Sequence, residues 1–484
     1  LQCYVAGGFW YSELMLMYVL GFAVICLLQL AMYLPGAWSQ RKYIAWPILI
    51  CQVAYIVVVG IKFAPIAAVL FALFGIYSVF NLAKVIGSNS QPKYLFRTTL
   101  KTTLWIIGIQ AAILLTNYLT GGVNVSIPSI LTVIVLAQAL MAIYIVFVLK
   151  GNLDSAKIRD EITAIPSSTL PSITVAIPAR NETTDLEQCL NSLIASKYPK
   201  LEIIVLDDNS QSTKTPEIIR SYAHDGVLFV AGKEVPDGWL AKNFAYQQLV
   251  DHSNGEIFIF CGVDTRFSED ALNGVVEYLK MQKLEMLSIV PRNEAVKPGR
   301  FQSLLLQPAR YAWELCLPRD SSVNPPTLST VWAISKKTLA KHGGFKAVKH
   351  TVFPEKYFAR SINKQKYGFV LSNSAIDISS KKKLDEQYST SIRTRYPALH
   401  KRCELVALIS FAELTFLIAP VLVAINGFIF GFWTTASVAT LAALIQFYIY
   451  GRVITITYRK TSILSYIVMP VAVLYDIYLL NYSM

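Results

Sequence analysis

The chain has 484 residues, of which 54% are hydrophobic and 15% are charged, and its mean hydropathy is +0.45. Soluble proteins carry about 25% charged residues, so this composition excludes an ordinary soluble protein and indicates a membrane protein. The net charge is +13. The basic residues lie in membrane-flanking loops and through the centre without a single basic stripe, which favours anionic lipid over nucleic acid as their partner.

Apolar stretches of about 20 residues, the length that crosses a hydrocarbon core, recur at both ends of the chain. Five precede the centre and three follow it, at about 13–35, 44–61, 64–82, 103–119, 127–149, 404–424, 434–451 and 462–482. The first stretch has no basic n-region and no small-residue cleavage site, so it is predicted to be retained and not to be a signal peptide. Any single stretch is also compatible with a buried core helix, and the region 404–431 with an interfacial or bent helix.

Residues 151–403 hold 33 of the 44 Lys and Arg and nearly all of the acids. They are therefore predicted to form a soluble domain between two membrane regions, 1–150 and 404–484. Cytoplasmic loops concentrate Lys and Arg. With the central domain inside, the inner loops carry nine basic residues and the outer segments carry only Lys62. The expected protein is a multi-pass protein of the plasma membrane with a cytoplasmic central domain and both termini outside.

Short apolar or β-branched runs alternate with helical segments in the central block. The runs are 173–177, 201–206, 227–230, 256–260 and 286–290. This alternation predicts an α/β sandwich with a mainly parallel sheet, whose ligands bind at the carboxyl ends of the strands. Each chemical motif falls just after such a run.

Polar residues follow the first two runs. The first run leads to Pro178, Arg180 and Glu182, and the second leads to Asp207 and Asp208. Two strand ends at one edge can bind the base and ribose of a nucleotide, with carboxylates accepting from the base and from sugar hydroxyls. Taken alone, the second motif would be explained as a turn or a helix N-cap.

Two further residues point to a diphosphate. Lys242 precedes a predicted helix, and Asp264 follows the run 256–260. A carboxylate at a strand end, beside bound phosphates, is a standard place for a divalent cation that takes oxygen ligands from protein and pyrophosphate together. We therefore expect Asp264 to bind Mg²⁺ or Mn²⁺ and Lys242 to contact phosphate.

In order and approximate spacing, these motifs resemble the family-2 glycosyltransferases of the GT-A fold. The matching segments are Ile-Pro-Ala-Arg-Asn-Glu at 177–182, Asp-Asp-Asn-Ser at 207–210, Gly-Trp-Leu-Ala-Lys-Asn at 238–243 and a DxD-like segment at 262–264. The resemblance covers about residues 172–403. Within it, the sequence pattern is most similar to that of the hopene-associated and carotenoid glycosyltransferases. It implies an α/β GT-A catalytic domain inserted between two groups of transmembrane helices.

The resemblance also implies roles for individual residues. Asp207 and Asp208 would bind the nucleoside of a UDP- or GDP-sugar, and Asp264 would hold the cation that neutralises the leaving diphosphate. An inverting transfer needs a general base, and the matching segment places Glu355 in that role. This chain departs from the family pattern at two positions. Gly262 replaces the first Asp of the family's DxD motif, and Pro354 replaces the Glu that precedes the base in the family.

A basic segment ends the central block. Arg393 and Arg395 lie in a predicted interfacial helix near 385–403, in a degraded form of the QxxRW motif with Ile392 and Tyr396 at its ends. Arginine makes bidentate contacts with phosphate, so both residues are predicted to reach the donor diphosphate. A basic helix lying on anionic lipid explains the segment equally well.

The sequence thus predicts a metal-dependent, inverting transfer of a sugar from a nucleotide-sugar donor to a lipid acceptor, because the flanking helices would hold the site against the bilayer. Two alternatives stay open. The departures at Gly262 and Pro354 are compatible with an inactive membrane scaffold that retains the nucleotide-sugar fold. A processive polysaccharide synthase is the other alternative, and the degraded QxxRW motif disfavours it.

Overall fold

The computed structural model describes residues 41–62, 127–158, 165–294, 307–317, 324–458 and 464–484, together with five isolated helical positions between 21 and 79. The spans predicted near 13–35, 64–82 and 103–119 lie outside the described residues, apart from those isolated positions. The chain divides into two compact units. The larger unit comprises Phe147–Leu317, Asn324–Leu414 and Phe447–Met484, and it contains the residues of the candidate site.

Among the described residues of the larger unit, ten strands form two sheets. They are β1 (Ile173–Ala179), β2 (Leu201–Asp207), β3 (Val227–Ala231), β4 (Ile257–Cys261), β5 (Thr265–Phe267), β6 (Met286–Val290), β7 (Arg292–Asn293), β8 (Val331–Ser335), β9 (Tyr367–Leu371) and β10 (Ile378–Ser380). The main sheet has the order β3-β2-β1-β4-β8-β6-β9, and a small sheet has the order β5-β10-β7. In the main sheet only β8 runs antiparallel to its neighbours, so the predicted mainly parallel sheet is confirmed.

Fifteen helices are assigned in the described residues, besides short 3-10 turns and one π-helical segment. The helices before and within the sheet domain are α1 (Arg41–Lys62), α2 (Ile127–Ala156), α3 (Thr184–Ile194), α4 (Lys214–Ser221), α5 (Ala241–Asp251), α6 (Ala271–Met281), α7 (Gln307–Cys316), α8 (Lys336–Lys341), α9 (Pro354–Ser361) and α10 (Leu384–Ala398). Those that follow are α11 (Cys403–Glu413), α12 (Ala419–Ile429), α13 (Trp433–Thr457), α14 (Leu464–Ile467) and α15 (Met469–Tyr482).

The main sheet is covered on both faces, which is why its strands read as nearly continuous apolar runs. Alternate side chains of the strands pack against α3 and α6 on one face. The opposite face packs against α5 and α9 through an aromatic cluster, in which the rings of Phe260 and Trp332 stack with centroids 4.4 Å apart. The core therefore holds the carboxyl ends of β1, β2 and β4 in fixed positions at one edge of the sheet.

Three helices among the described residues are long and apolar enough to cross a membrane: Ile130–Ala156, Cys403–Ile429 and Trp433–Thr457. They coincide with the stretches predicted near 127–149, 404–424 and 434–451. The second is continuous from α11 through the π-helical segment Leu414–Ile418 into α12. One span before the sheet domain and two after it agree with a domain inserted between two membrane regions.

Two further predicted spans fall on helices of the structure. The stretch near 44–61 lies within the 22-residue helix α1. The stretch near 462–482 is divided between α14 and α15, and Pro470 stands in the first turn of α15, where its missing N–H is tolerated. The 14 residues of α15 rise about 21 Å, which is less than the ~30 Å of a hydrocarbon core. The arrangement of eight spans therefore stays a prediction.

Candidate active site

The first two motifs lie side by side at the carboxyl edge of the main sheet. Strands β1 and β2 are parallel neighbours, and Ala179 is opposite Asp207. The main-chain N–H of Asp208 donates to the carbonyl of Ala179 at 2.8 Å, and the N–H of Asn181 donates to the hydroxyl of Ser210 at 2.8 Å. The two segments are therefore joined into one surface by hydrogen bonds.

The predicted nucleoside residues share one electrostatic environment. Burial is the largest cause of a raised pKa at Asp208; the Arg180 guanidinium opposes this rise, and the Asp207 carboxylate adds to it. Pro178 is half-buried in β1, and Arg180 is exposed at its end. A cation and two carboxylates at one strand edge can contact the polar groups of a nucleotide.

Asp264 lies in the connection between β4 and β5, and neighbouring segments hold both its side chain and its main chain. Its Oδ2 accepts a hydrogen bond from the Ser380 hydroxyl at 2.7 Å, and its main-chain carbonyl accepts from the N–H of Lys381 at 2.8 Å. On either side, Arg266 donates to the carbonyls of Val263 at 2.7 Å and Thr265 at 2.8 Å. The Asp264 loop is therefore fixed from two directions.

The buried carboxylate of Asp185 links this loop to helix α10. Asp185 stands in the first turn of α3, and Lys383 precedes the first turn of α10. The Asp185 carboxylate accepts from the Nζ of Lys383 at 2.5 Å and from a guanidinium nitrogen of Arg266 at 3.5 Å. We did not predict a role for any of these three residues. The run of three lysines at 381–383, just after a short strand, is the sequence signal that could have drawn attention to Lys383.

Glu182 lies beside the same group of charges. Its pKa is raised to about 7, chiefly by burial and then by the carboxylates of Glu386, Asp185 and Asp264, while Lys383 opposes the rise. Burial likewise raises the pKa of Glu386, in the first turn of α10. The first motif is thus brought next to Asp264, and the surrounding excess of carboxylates favours a cationic ligand.

The charges of Glu355 and Asp264 both act on the buried side chain of Tyr246. Glu355 stands in the first turn of α9, directly after Pro354, and it is 1% exposed. The pKa of the Tyr246 phenol is raised well above its usual range by burial, and the negative charges of Glu355 and Asp264 add to the rise. The Nζ of Lys242 lies 5.4 Å from the centroid of the Tyr246 ring. The predicted phosphate contact therefore lies near Tyr246, and the predicted base and metal ligand both act on the charge of its phenol.

The start of α5 is hydrogen-bonded to the loop that precedes Glu355. The Nδ2 of Asn243 donates to the carbonyls of Val348 at 2.7 Å and Thr351 at 2.8 Å. The N–H of Leu240 donates to the carbonyl of Lys349 at 2.9 Å. Asn243 was not predicted to have a role, although it ends the segment 238–243 in which Lys242 was chosen. Its burial, with 1% exposure, is what distinguishes it.

The two arginines of α10 contact other groups. Arg395 forms an ion pair with Asp476 of α15, and it also donates to the main-chain carbonyl of Asp476 at 3.1 Å. Arg393 is exposed, and its Nε donates to the carbonyl of Ser389 in the same helix at 3.2 Å. Lys383, which directly precedes α10, contacts Asp185 instead. Diphosphate binding by Arg393 and Arg395 stays a prediction.

The residues present fit a cation that shares its ligands with a diphosphate. Within the part of the chain that the structure describes, no three His, Cys, Asp or Glu side chains form a metal-binding group. Asp264 supplies one carboxylate with a hydrogen-bonded partner. Mg²⁺ commonly binds through one or two carboxylates, substrate phosphates and retained waters, so a single carboxylate is sufficient for this kind of site.

Curated relatives match only part of this chain. The glycosyltransferase AglE of Haloferax volcanii is 34% identical over 102 residues, which are 20% of this chain and 32% of that protein. A 4,4'-diaponeurosporenoate glycosyltransferase of Staphylococcus haemolyticus is 33% identical over 132 residues, or 27% and 34% of the two chains. The chain thus spans about a third of the length of these relatives. The solved structure of the Pyrobaculum calidifontis mannosyltransferase PcManGT, in complex with GDP-Man and Mn²⁺, aligns at 19% identity over 65% of this chain and 98% of its own, with a TM-score of 0.39.

The sequence profile described as Glycosyl transferase family 2 matches residues 174–353. This segment runs from β1 to the residue before α9, so it contains the strand-end motifs, Asp264 and Asn243. The mixed sheet with its motifs at one edge, together with this match, confirms the predicted GT-A class. Residues 174–353 of this chain are therefore a domain of glycosyl transferase family 2.

Proposed function

We propose that the chain is a membrane glycosyltransferase that moves a sugar from a nucleotide-sugar donor, a UDP- or GDP-sugar, to a hydroxyl group of a lipid acceptor, with inversion at the anomeric carbon. The observation that carries the proposal is that the charges of Glu355 and Asp264 both act on the buried Tyr246, while Asp207 and Asp208 stand at the carboxyl end of β2. A base and a diphosphate-binding carboxylate are thus close to a nucleotide-binding surface.

The donor would bind across the carboxyl ends of β1, β2 and β4. Asp207 and Asp208 would accept hydrogen bonds from the nucleoside, with Pro178, Arg180 and Glu182 forming the adjacent wall. Lys242 would contact a diphosphate oxygen from the start of α5. Two observations support this placement of the donor. Hydrogen bonds join the first two motifs, and the Nζ of Lys242 lies against the Tyr246 ring.

Asp264 would hold Mg²⁺ or Mn²⁺ against the donor diphosphate. The bound cation would neutralise the negative charge that develops on the departing diphosphate. The contribution of the chain is a carboxylate whose direction is set by Ser380 and whose main chain is held by Lys381 and Arg266. Glu182, with its pKa near 7, adds negative charge beside the cation once its proton is lost.

Glu355 would act as the general base. Its carboxylate would take the proton of the acceptor hydroxyl while the acceptor oxygen forms a bond to the anomeric carbon and the bond from that carbon to the diphosphate oxygen breaks. The electron pair of the broken bond leaves with the nucleoside diphosphate. Burial of Glu355 in the first turn of α9 gives the base a fixed position, which such a transfer requires.

The lipid acceptor and the cytoplasmic orientation are parts of this proposal. Helices long enough to span a membrane precede and follow the catalytic domain in the chain, so an acceptor can reach it from the bilayer. One relative is named for 4,4'-diaponeurosporenoate, a carotenoid acid, and we extend this class of apolar acceptor to the present chain. The excess of Lys and Arg in the inner loops supports a plasma-membrane protein with its catalytic domain in the cytoplasm.

The test is transfer by the purified protein in phosphatidylcholine nanodiscs. The protein is incubated with Mn²⁺, with lipid extract and with a panel of radiolabelled UDP- and GDP-sugars, and label in the organic phase is counted. We expect one donor to give labelled lipid, and EDTA to abolish the product. Failure of every donor, together with retained binding of UDP or GDP, would instead support an inactive nucleotide-binding scaffold.

A further inference from the structure

We infer that Ser380 is a positioning residue for the Asp264 carboxylate, and that the orientation it imposes requires glycine at position 262. The inference rests on the proposed function, in which Asp264 holds the divalent cation. It concerns the group that acts on Asp264, since Ser380 itself would touch neither cation nor donor.

Strand β10 holds Asp264 through both side-chain and main-chain contacts. Ser380 is the last residue of β10 and is 1% exposed. A carboxylate has no hydrogen to donate, so the Ser380 hydroxyl is the donor in the 2.7 Å contact with Oδ2. Ser380 also lies opposite Thr265 in the antiparallel pairing of β10 with β5, which sets the distance between the two segments.

The second oxygen of Asp264 occupies the space beside Gly262. A Cβ atom added at Gly262 would lie 2.5 Å from Oδ1 of Asp264. Carbon atoms in van der Waals contact lie about 3.5–4.0 Å apart, so a Cβ only 2.5 Å from Oδ1 would displace the carboxylate. The hydroxyl of Ser380 on Oδ2 and the missing side chain of Gly262 beside Oδ1 therefore select the same orientation of Asp264.

Loss of the Ser380 hydroxyl should affect the carboxylate and leave its main chain in place. The backbone near Asp264 is held independently by the N–H of Lys381 and by the guanidinium of Arg266 on two carbonyls. Carboxylates that ligate metals are themselves hydrogen-bonded, and removal of such a partner typically weakens metal binding about 10- to 100-fold. Ser380 has the position and the chemistry of such a partner.

The experiment measures Mn²⁺ binding and does not depend on sugar transfer. Free Mn²⁺ is followed by electron paramagnetic resonance in the presence of UDP or GDP, and nucleotide affinity without metal is measured by equilibrium dialysis. We expect Ser380→Ala to weaken nucleotide-dependent Mn²⁺ binding about 10- to 100-fold. Ser380→Thr, which keeps a hydroxyl, should restore most of it. Nucleotide binding without metal should be unchanged in both variants.

Two comparisons make the test specific. Ser379→Ala removes the neighbouring buried hydroxyl, which alternates to the other side of β10, and it should bind Mn²⁺ like the wild type. Gly262→Asp adds a second carboxylate, yet it should weaken Mn²⁺ binding because its side chain collides with Asp264. Thermal melting of each variant reports whether it remains folded.

The outcomes separate this inference from the proposed function. Unchanged Mn²⁺ binding in Ser380→Ala, with loss in Asp264→Asn, would overturn the role of Ser380 and leave the metal site standing. Tighter binding in Gly262→Asp would overturn the requirement for glycine. If the wild-type protein binds nucleotide but shows no nucleotide-dependent binding of Mn²⁺, the proposed metal site is overturned, and the role of Ser380 with it.

Discussion

The side-chain amide of Asn243 donates a hydrogen bond to the main-chain carbonyl of Thr351 at 2.8 Å, four residues before Glu355. The same amide also donates to the carbonyl of Val348. One buried side chain at the start of α5 therefore determines where the chain enters α9. This contact joins the segment that carries Lys242 to the segment that carries the proposed base.

Replacement of Asn243 by Ala should slow transfer more than it weakens donor binding. The carbonyl of Val348 keeps the N–H of Thr351 as a donor but loses the amide of Asn243, and the carbonyl of Thr351 loses the same amide, so the loop before Glu355 becomes less well placed. A displacement of about 1 Å at a reacting group can reduce the rate about 100-fold. Steady-state kinetics should show a reduced kcat with a nearly unchanged KM for the donor. Asn254→Ala, at the amino end of β4, is the matched control and should keep the wild-type rate.

Glu355→Gln should bind nucleotide sugar normally and transfer it about 10²- to 10⁴-fold more slowly, because the amide cannot accept the acceptor proton. Single-turnover kinetics with saturating donor measure the effect. Glu217→Gln, the same change in the first turn of α4, should be silent. If the wild type is active and Glu355→Gln transfers sugar at the wild-type rate, Glu355 is not the base.

Asp264→Ala should abolish the metal-dependent part of nucleotide binding, since the neighbouring Gly262 cannot supply a ligand in its place. Calorimetric titration of UDP or GDP, with and without Mn²⁺, separates the two parts of the affinity. The metal-free affinity should persist, because Asp207 and Asp208 lie on another strand. A metal-dependent affinity equal to that of the wild type would remove Asp264 from the site.

The raised pKa of Glu182 predicts a pH dependence of stability. Between the usual pKa of about 4.5 and the folded value of about 7, the folded state holds a proton that the unfolded state has lost. This contribution to stability is complete below about pH 4.5 and is lost as the pH rises to about 7. Melting temperatures measured across that range should fall more for the wild type than for Glu182→Gln. Glu187→Gln, in the helix that follows Glu182, should follow the wild type, and identical curves for all three proteins would contradict the assignment.

The loop charges predict that residues 120–126 and 425–433 face the outside of the cell. Single cysteines introduced in each loop should react with a membrane-impermeant maleimide added to intact cells. Positions in the central domain, such as the exposed Ala195, should react only after lysis. Labelling of the two loops only in lysed cells would refute the predicted topology.

The strands and their motifs could be predicted because each depends on a local pattern. The apolar run 173–177 became β1 with two residues added at its end, and both carboxylates of the second motif lie at the sheet edge where parallel strands end. The partners of the site residues could not be predicted in this way. Ser380 is 116 residues from Asp264, and Lys383 is 198 residues from Asp185. Such pairs depend on how β5 and α10 pack in three dimensions, so they cannot be predicted from local sequence patterns.

Helix α10 makes an ion pair near each of its ends. Lys383, at its start, binds Asp185 beside the proposed donor site, and Arg395, twelve residues later, binds Asp476 of α15. The two contacts are separated by about 18 Å of continuous helix. Because a helix of this length transmits displacement with little bending, movement of α15 would shift the residue that neutralises Asp185. We therefore predict that the lipid around the expected span 462–482 affects the proposed catalytic site, so acyl-chain length belongs among the conditions that an assay of this protein must control.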